Sequence, residues 1–174
     1  MSIPKIIHYC WFGKNPLPAS VKKCISSWKR QCPDYEIVRW DESNFDFGGN
    51  LYTRQAYDAG KWAFVSDYAR LKIIYENGGV YLDTDVRLIK SLDALTEKYD
   101  GFFGYEAGES LISTGLGFGA EKGNRFVKAL LEDYADIPFI KPDGAPDRTP
   151  CPLRITRLLE KLGLDTKVRG QVIG

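Results

Sequence analysis

The chain has 174 residues, of which 24 are Lys or Arg and 23 are Asp or Glu, so its formal net charge is only +1. A charge this close to zero argues against general nucleic-acid binding, because those polyanions attract proteins through a basic field. A composition of 44% hydrophobic and 27% charged residues is typical of a single globular domain and excludes the disordered and fibrous classes.

The first part of the chain is predicted to form a strand, a helix and a second strand. The segment 3–12 is apolar and β-branched and ends at Gly13, as buried strands do. Over 19–32, apolar residues recur at helical spacing with four basic residues between them, which predicts an amphipathic helix that Pro33 ends. The second strand is predicted over 35–40.

Two helices are predicted next, over 52–76 with a break near Gly60, and Gly78 stops the second helix. Short apolar strands are predicted over 80–82 and 86–89. The remaining predicted elements are strands over 102–105 and 116–118, helices over 124–134 and 154–162, and a proline-rich, acceptor-facing loop over 141–152.

Two aspartates, Asp83 and Asp85, follow the predicted strand 80–82, at the strand end where open α/β sheets bind ligands. In extended backbone, residues two apart point to the same face, so both carboxylates can share one divalent cation. Mg²⁺ or Mn²⁺ suits such oxygen ligands and would neutralise a diphosphate leaving group. Because Asp-x-Asp arises by chance about once in a chain of this composition, a solvated acidic turn stays an alternative.

Asp67 and Arg70 are three residues apart on the second predicted helix, so they share a face and could together grip the hydroxyls of a polar ligand. The alternative is an exposed ion pair of small energetic value. Most of their neighbours on this helix are apolar, which favours partial burial of both side chains.

Aromatic residues end the first strand. Trp11 could offer a platform for a planar base, with core packing as an equal alternative, whereas core packing is the preferred interpretation of Phe12. The one histidine, His8, is interpreted as a hydrogen-bonded strand residue rather than a catalyst. Four scattered cysteines and a single histidine do not form a zinc-binding pattern.

No window approaches the roughly 18 apolar residues of a membrane span, and the first residues lack the apolar core of a signal peptide. We therefore expect a cytoplasmic protein without a transmembrane segment, peripheral at the membrane if it contacts one.

Three segments of this sequence, 3–13, 66–70 and 78–85, together resemble the DXD-type sugar transferases of glycosyltransferase family 32. That family includes capsular polysaccharide synthesis proteins and initiating mannosyltransferases, and it is distantly similar to the glucosylating domains of clostridial toxins. The resemblance implies an α/β fold of the GT-A type, with a Rossmann-like mixed central sheet flanked by helices that binds a nucleotide sugar. It also implies a divalent metal, Mn²⁺ or Mg²⁺, and retention of anomeric configuration.

The resemblance also implies roles for individual residues. Donor binding would fall on Cys10, Trp11, Ser66, Tyr81 and Asp83. Catalysis at the donor sugar would fall on Asp67 and Arg70, metal binding on Asp85 with Asp83, and the acceptor side on Ser113 and Thr114.

Three functional hypotheses follow. The first is a retaining glycosyltransferase that moves a sugar from a UDP- or GDP-sugar to a glycan or lipid-linked acceptor in polysaccharide biosynthesis. The second is a phosphatase of the haloacid dehalogenase type, in which Asp83 is the nucleophile, Asp85 its acid/base partner, and Asp143 and Asp147 the downstream acids. The third is a non-catalytic nucleotide-sugar-binding fragment, since residues 1–174 would form one domain that lacks a C-terminal segment of the family.

Overall fold

The structure is a computed structural model that describes residues 2–106, 108 and 110–173. The strands within those residues are β1 (Ile6–Cys10), β2 (Glu36–Trp40), β3 (Gly79–Tyr81), β4 (Gly101–Phe103) and β5 (Phe118–Ala120). The helices are α1 (Ala19–Gln31), α2 (Leu51–Asp58), α3 (Trp62–Asn77), α4 (Asp93–Thr96), α5 (Arg125–Glu132) and α6 (Cys151–Lys161).

The strands form one mixed sheet in the order β2-β1-β3-β5-β4. β1 is parallel to both of its neighbours, with Ile7 opposite Ile37 and Val80, whereas β5 is antiparallel to β3 and β4. The chain leaves β1 towards β2 on one side and comes back to β3 on the other. The carboxyl ends of β1 and β3 therefore border the crevice in which such sheets bind ligands. This arrangement confirms the predicted α/β class with a mixed central sheet flanked by helices.

Side chains of β1 alternate between two cores, one on each face of the sheet. Cys10 belongs to the core that includes the buried face of α3, whereas Ile7 and Tyr9 pack with Trp28 of α1 in the other core. Phe12, just beyond the strand, lies in the α3-side core, which confirms its interpretation as a packing residue.

The segment after β3 does not form the strand predicted over 86–89. It lies along α1 instead, where the Trp28 indole donates to the Val86 carbonyl (2.8 Å) and the Leu88 amide donates to Ser27 Oγ (3.0 Å). The prediction was wrong because Val86 and Leu88 pack into the core that contains Trp28 of α1, and apolar content alone does not reveal the partner.

A sharp turn joins α3 to β3. Gly78 has φ +71° and Gly79 has φ +101°, a region in which side chains are strained. A Cβ on Gly79 would also lie 2.7 Å from the Ile6 carbonyl oxygen. Glycine here lets the chain turn directly from the helix into the parallel strand beside β1.

Most other predicted elements are confirmed with shifted ends. Residues 116 and 117 precede β5, which begins at Phe118, and α6 begins at Cys151, ahead of its predicted start. Pro152 lies in the first turn of α6, where a missing N–H costs nothing. The short α4 was not predicted. Among the described residues, no helix combines the length and the apolar character needed to cross a membrane.

Candidate functional site

The guanidinium of Arg70 joins α3 to the segment beyond β3. Its Nη2 lies 3.1 Å from Asp67 Oδ1 and 3.4 Å from Asp83 Oδ1. The Arg70 side chain is 7% exposed and that of Asp67 is 14% exposed, so the alternative of an exposed surface pair is wrong. Removing two such charges from water is costly, and the arrangement persists because each group is paired.

Three further contacts fix this cluster. Arg70 Nε donates to the Ser66 carbonyl (3.0 Å), one turn back on α3, and the guanidinium lies 5.0 Å from the centre of the Tyr81 ring. The Tyr81 hydroxyl donates to Asp83 Oδ1 (3.0 Å). Burial raises the pKa of the Tyr81 phenol, so it remains a donor at neutral pH. Asp83 Oδ1 is therefore bound by protein groups on two sides.

Gly115 completes the cluster by close backbone approach. Its carbonyl accepts from the Asp83 amide (3.0 Å). A Cβ at this position would lie 2.3 Å from Asp83 Oδ2 and 3.0 Å from Arg70 Nη1. Gly115 adjoins Ser113 and Thr114, which the resemblance assigns to the acceptor side, but its contact with Asp83 could not be predicted because only the fold brings this loop against Asp83.

Burial raises the pKa of Asp67 to about 6, although Arg70 and a hydrogen bond with Cys151 act against the shift. Burial likewise raises the pKa of the Cys151 thiol to about 12, so the thiol keeps its proton and can donate it in a hydrogen bond. Thr114 is 1% exposed, and its Oγ1 lies 3.7 Å from Cys151 Sγ. Thr114 and Cys151 thus contact each other in the wall of the site.

The charged cluster lines a cavity of about 440 Å³. Its other lining residues come from the start of α3, from the loop before β5 and from the proline-rich segment: Ala63, Phe64, Ser113, Thr114, Gly115, Arg148, Pro150, Cys151 and Pro152. Such a volume suits a small polar ligand such as a sugar. The end of the proline-rich loop does border the candidate site, and the exposed Arg148 on it was not singled out from the sequence.

Asp85 lies outside this cavity and is exposed. The expected extended backbone from Asp83 to Asp85 is wrong, because residues 84 and 85 form a turn in which the Val86 amide donates to the Asp83 carbonyl (3.0 Å). Within the described part of the chain, no three His, Cys, Asp or Glu side chains cluster around a point that could hold a metal. A divalent ion at Asp83 and Asp85 would therefore need further oxygen ligands from water or from a bound phosphate.

The carboxyl end of β1 places the predicted base-binding residues beside β2. The Trp11 amide donates to the Trp40 carbonyl (2.8 Å), and its half-buried indole donates to the Asn15 carbonyl (2.6 Å). Cys10 is buried, and burial raises the pKa of its thiol to about 12. Trp11 and Cys10 project to opposite faces, so only the backbone of Cys10 and the ring of Trp11 could meet one ligand here.

His8 is a hydrogen-bonded core residue, as expected. Its Nδ1 accepts from the Trp40 indole (3.0 Å), which leaves Nε2–H to donate to the Gly78 carbonyl (3.0 Å). Burial lowers the pKa of His8 to about 4, so the ring is neutral near pH 7. Its contacts fix the turn between α3 and β3.

Other candidate residues lie apart from the cluster. The Ser66 hydroxyl donates to the Trp62 carbonyl (3.0 Å) and does not line the cavity. Of the acids required by the phosphatase hypothesis, Asp143 is exposed and accepts from the Ala145 amide (3.0 Å), and Asp147 pairs with Arg154 (2.7 Å). Neither lines the cavity beside Asp83.

Residues 18–102 match a family model described as a glycosyltransferase sugar-binding region containing a DXD motif. The matched segment contains Asp67 and Arg70 of the cluster and both aspartates of the Asp83–Asp85 turn. The family match therefore covers the charged side of the cavity, whereas the proline-rich side lies outside it.

Two mannosyltransferases of Schizosaccharomyces pombe are similar in sequence. The chain is 32% identical over 146 residues to inositol phosphoceramide mannosyltransferase 3, an alignment covering 79% of this chain and 39% of the relative. It is 32% identical over 107 residues to inositol phosphoceramide mannosyltransferase 1, covering 55% of this chain and 32% of the relative. The chain thus spans well under half the length of these relatives.

Solved structures share the fold. The PaToxG glycosyltransferase superposes with a TM-score of 0.69 at 20% identity, covering 92% of this chain and 70% of that one. The UDP-bound glycosyltransferase domain of the YGT toxin gives a TM-score of 0.55 at 13% identity, with coverage of 95% and 69%. Residues 18–102 are thus similar to the DXD-containing sugar-binding region of glycosyltransferases, the chain is related in sequence to two mannosyltransferases, and its fold is that of solved GT-A glycosyltransferase domains.

Proposed function

We propose that this domain moves a hexose from a UDP- or GDP-sugar to a glycan or lipid-linked acceptor, with a divalent ion and with retention of anomeric configuration. The observation that carries the proposal is the cluster of the largely buried Asp67 and Arg70 with the partly exposed Asp83 on the wall of a sugar-sized cavity. The cavity opens at the carboxyl end of β3, where α/β sheets bind nucleotides.

The cluster supplies complementary groups for a donor sugar. Carboxylate oxygens of Asp67 and Asp83 can accept hydrogen bonds from sugar hydroxyls, and charged acceptors form the stronger bonds. Arg70 is held in place by its two carboxylates and by the Ser66 carbonyl, so its positive charge is oriented before the donor arrives. A preorganised charge stabilises a transition state without further rearrangement.

Mn²⁺ or Mg²⁺ would be held by Asp85, with Asp83 at its side, and by the donor diphosphate. When bound, the ion neutralises the charge that develops on the departing diphosphate. The exposure of Asp85 supports this assignment, because a ligand shared with phosphate and water must face the crevice.

Retention is compatible with two routes. A carboxylate nucleophile could form a covalent sugar intermediate, and Asp67 is the cavity residue suited to that role. An attack on the same face as the leaving phosphate would need no protein nucleophile. In either route Asp67 acts as an anion, since its pKa of about 6 leaves it mostly ionised at pH 7.

The acceptor side is assigned to the loop of Ser113 and Thr114 and to the proline-rich segment opposite the charged wall. The S. pombe relatives are named as mannosyltransferases of inositol phosphoceramide, which supports a mannosyl donor and a lipid-linked acceptor for this chain. Arg148 at the cavity edge could meet an anionic group on such an acceptor. A place in capsular polysaccharide biosynthesis is a further proposal that rests on the sequence resemblance.

A thermal-shift panel tests the proposal. UDP- and GDP-sugars are titrated with Mn²⁺, with Mg²⁺ and with EDTA, and the bound sugar nucleotide is then offered to a lipid-linked acceptor. We expect a base-selective rise in Tm that requires the ion. Phosphate release from simple phosphomonoesters, with no response to any sugar nucleotide, would instead favour the phosphatase hypothesis. Binding without transfer or hydrolysis would favour the non-catalytic one.

A further inference from the structure

Six exposed cations lie on α1 and on the segment packed against it, and none of them lines the candidate cavity. The residues, called here the basic face, are Lys22, Lys23, Lys29 and Arg30 on α1 and Arg87 and Lys90 on the segment that follows β3. α1 itself contains no Asp or Glu.

Helical geometry makes the α1 cations contiguous. Lys22 and Lys29 are seven residues apart and form one row, and Lys23 and Arg30 form the next row, opposite the buried Trp28. The hydrogen bonds from Trp28 to Val86 and from Leu88 to Ser27 hold the second segment along the same helix. Arg87 and Lys90, both exposed, lie on this segment.

In the described part of the chain, the cations of the basic face are not engaged in salt bridges. Within the described ranges, none of its six cations forms an ion pair with a carboxylate. The nearest acid after the segment, Asp93, is already bound to Lys5 (3.0 Å). Since the whole chain has a formal charge of only +1, the positive charge is segregated here and the remainder of the molecule is net negative.

An apolar side chain projects from the same surface. Ile89 is 76% exposed and lies between Arg87 and Lys90 in the sequence, whereas Leu88 beside it packs against α1. A lone exposed isoleucine is unremarkable on most surfaces. Flanked by cations, however, it matches the arrangement by which peripheral proteins insert an apolar group below lipid headgroups.

We propose that the basic face docks this domain on an anionic lipid surface, with Ile89 entering the headgroup region. Charge complementarity supplies most of the attraction, and Ile89 favours a lipid over a purely polar polyanion. The inference does not depend on the donor or on catalysis.

Vesicle co-sedimentation tests this surface. Vesicles of phosphatidylcholine alone are compared with vesicles in which about a third of the lipid is phosphatidylglycerol. We expect binding to the anionic vesicles only, and loss of that binding as NaCl rises to about 0.5 M. The variant K22Q/K23Q/K29Q/R30Q should bind roughly 600-fold more weakly, because each of the four surface cations contributes about fivefold.

The matched control removes four exposed lysines from other surfaces, Lys61, Lys122, Lys141 and Lys167, each replaced by Gln. Both variants have the same net charge, and far-ultraviolet circular dichroism checks that both are folded. Equal loss of binding in the control would overturn the proposal, because net charge and not the basic face would then govern binding. Tight binding to neutral vesicles would overturn it as well.

The variant Ile89→Gln distinguishes binding to a lipid surface from binding to a soluble polyanion. We expect weaker vesicle binding by severalfold and unchanged binding to heparin. The lipid proposal would be wrong if this variant bound vesicles as well as the original protein does and bound heparin or RNA more tightly than anionic vesicles. The basic face would then be a site for a soluble polyanion.

Discussion

Arg70 Nη2 on α3 lies 3.4 Å from Asp83 Oδ1 beyond β3, so a single ion pair connects the helix of the candidate site to its sheet. Asp83 is 36% exposed while Arg70 is buried, which orients the pair from the core towards the cavity. Because Asp67 is paired with the same guanidinium nitrogen, substitution of any one member of the cluster should also alter the contacts of the other two.

Gly115→Ala should disturb the cluster without touching a charged residue. The new Cβ would lie 2.3 Å from Asp83 Oδ2, so Asp83 must move and its contact with Arg70 must weaken. Overpacking of this kind costs about 1 to 3 kcal/mol. Urea denaturation measures the loss, and donor titration should show weaker sugar binding.

Gly49→Ala is the matched control, since both glycines lie outside the left-handed region and Gly49 is exposed and distant from the cavity. Its stability should change by well under 1 kcal/mol. If Gly115→Ala were as stable as this control and bound donor normally, the close contact with Asp83 would have no functional consequence.

Asp67→Ala and Arg70→Ala should separate sugar contacts from nucleotide contacts. Both residues line the sugar-sized cavity, and neither is predicted to touch the base. We expect near-normal affinity for free UDP or GDP and about 10- to 100-fold weaker affinity for the matching sugar nucleotide, the value of a lost charged hydrogen bond. Calorimetry with both ligands measures the difference.

Asp58→Asn, an exposed change on α2, controls for altered charge. If the Asp67 and Arg70 variants lost affinity equally for the nucleoside diphosphate and for the sugar nucleotide, these residues would have a structural role and no specific contact with the sugar.

The raised pKa of Asp67 predicts a stability change with pH. The carboxyl has an ordinary value of 3.8 when unfolded and about 6 when folded, so the folded chain binds more protons between these values. The contribution of Asp67 to the free energy of unfolding is therefore greatest below about pH 4. It falls by about 2 to 3 kcal/mol as the pH rises to about 6. Asp67→Asn cannot ionise and should lack this component.

Urea denaturation of both proteins, at pH values from about 4 to about 7, compares their free energies of unfolding. The stability of the original chain relative to Asp67→Asn should decline across the range. Parallel profiles for the two proteins would show that Asp67 ionises as readily in the fold as in the open chain.

Asp85→Asn should abolish the ion dependence of donor binding and leave the fold intact. Asp85 is exposed and makes no ion pair among the described residues, so its loss should barely change stability. Donor affinity is measured with Mn²⁺ and with EDTA. Unchanged affinity with the same Mn²⁺ dependence would show that another group holds the ion.

Much of the local structure follows from the sequence. The spacing of apolar residues in α1 and α3 and the glycines after α3 reflect rules that act within a few residues. The same rules could not identify the partner of 86–89, which packs on α1, nor reveal that residues 84 and 85 turn away from extended backbone. Those outcomes depend on neighbours that are distant in the chain.

The sequence by itself determined the α/β class, the family resemblance and the pairing of Asp67 with Arg70, because three residues along a helix always share a face. Only the tertiary structure decided that Asp83 joins this pair, that Gly115 closes against it and that Arg148 borders the same cavity. Long-range packing sets these relationships, since residues from α3, β3 and two loops meet only when the sheet and its helices have assembled.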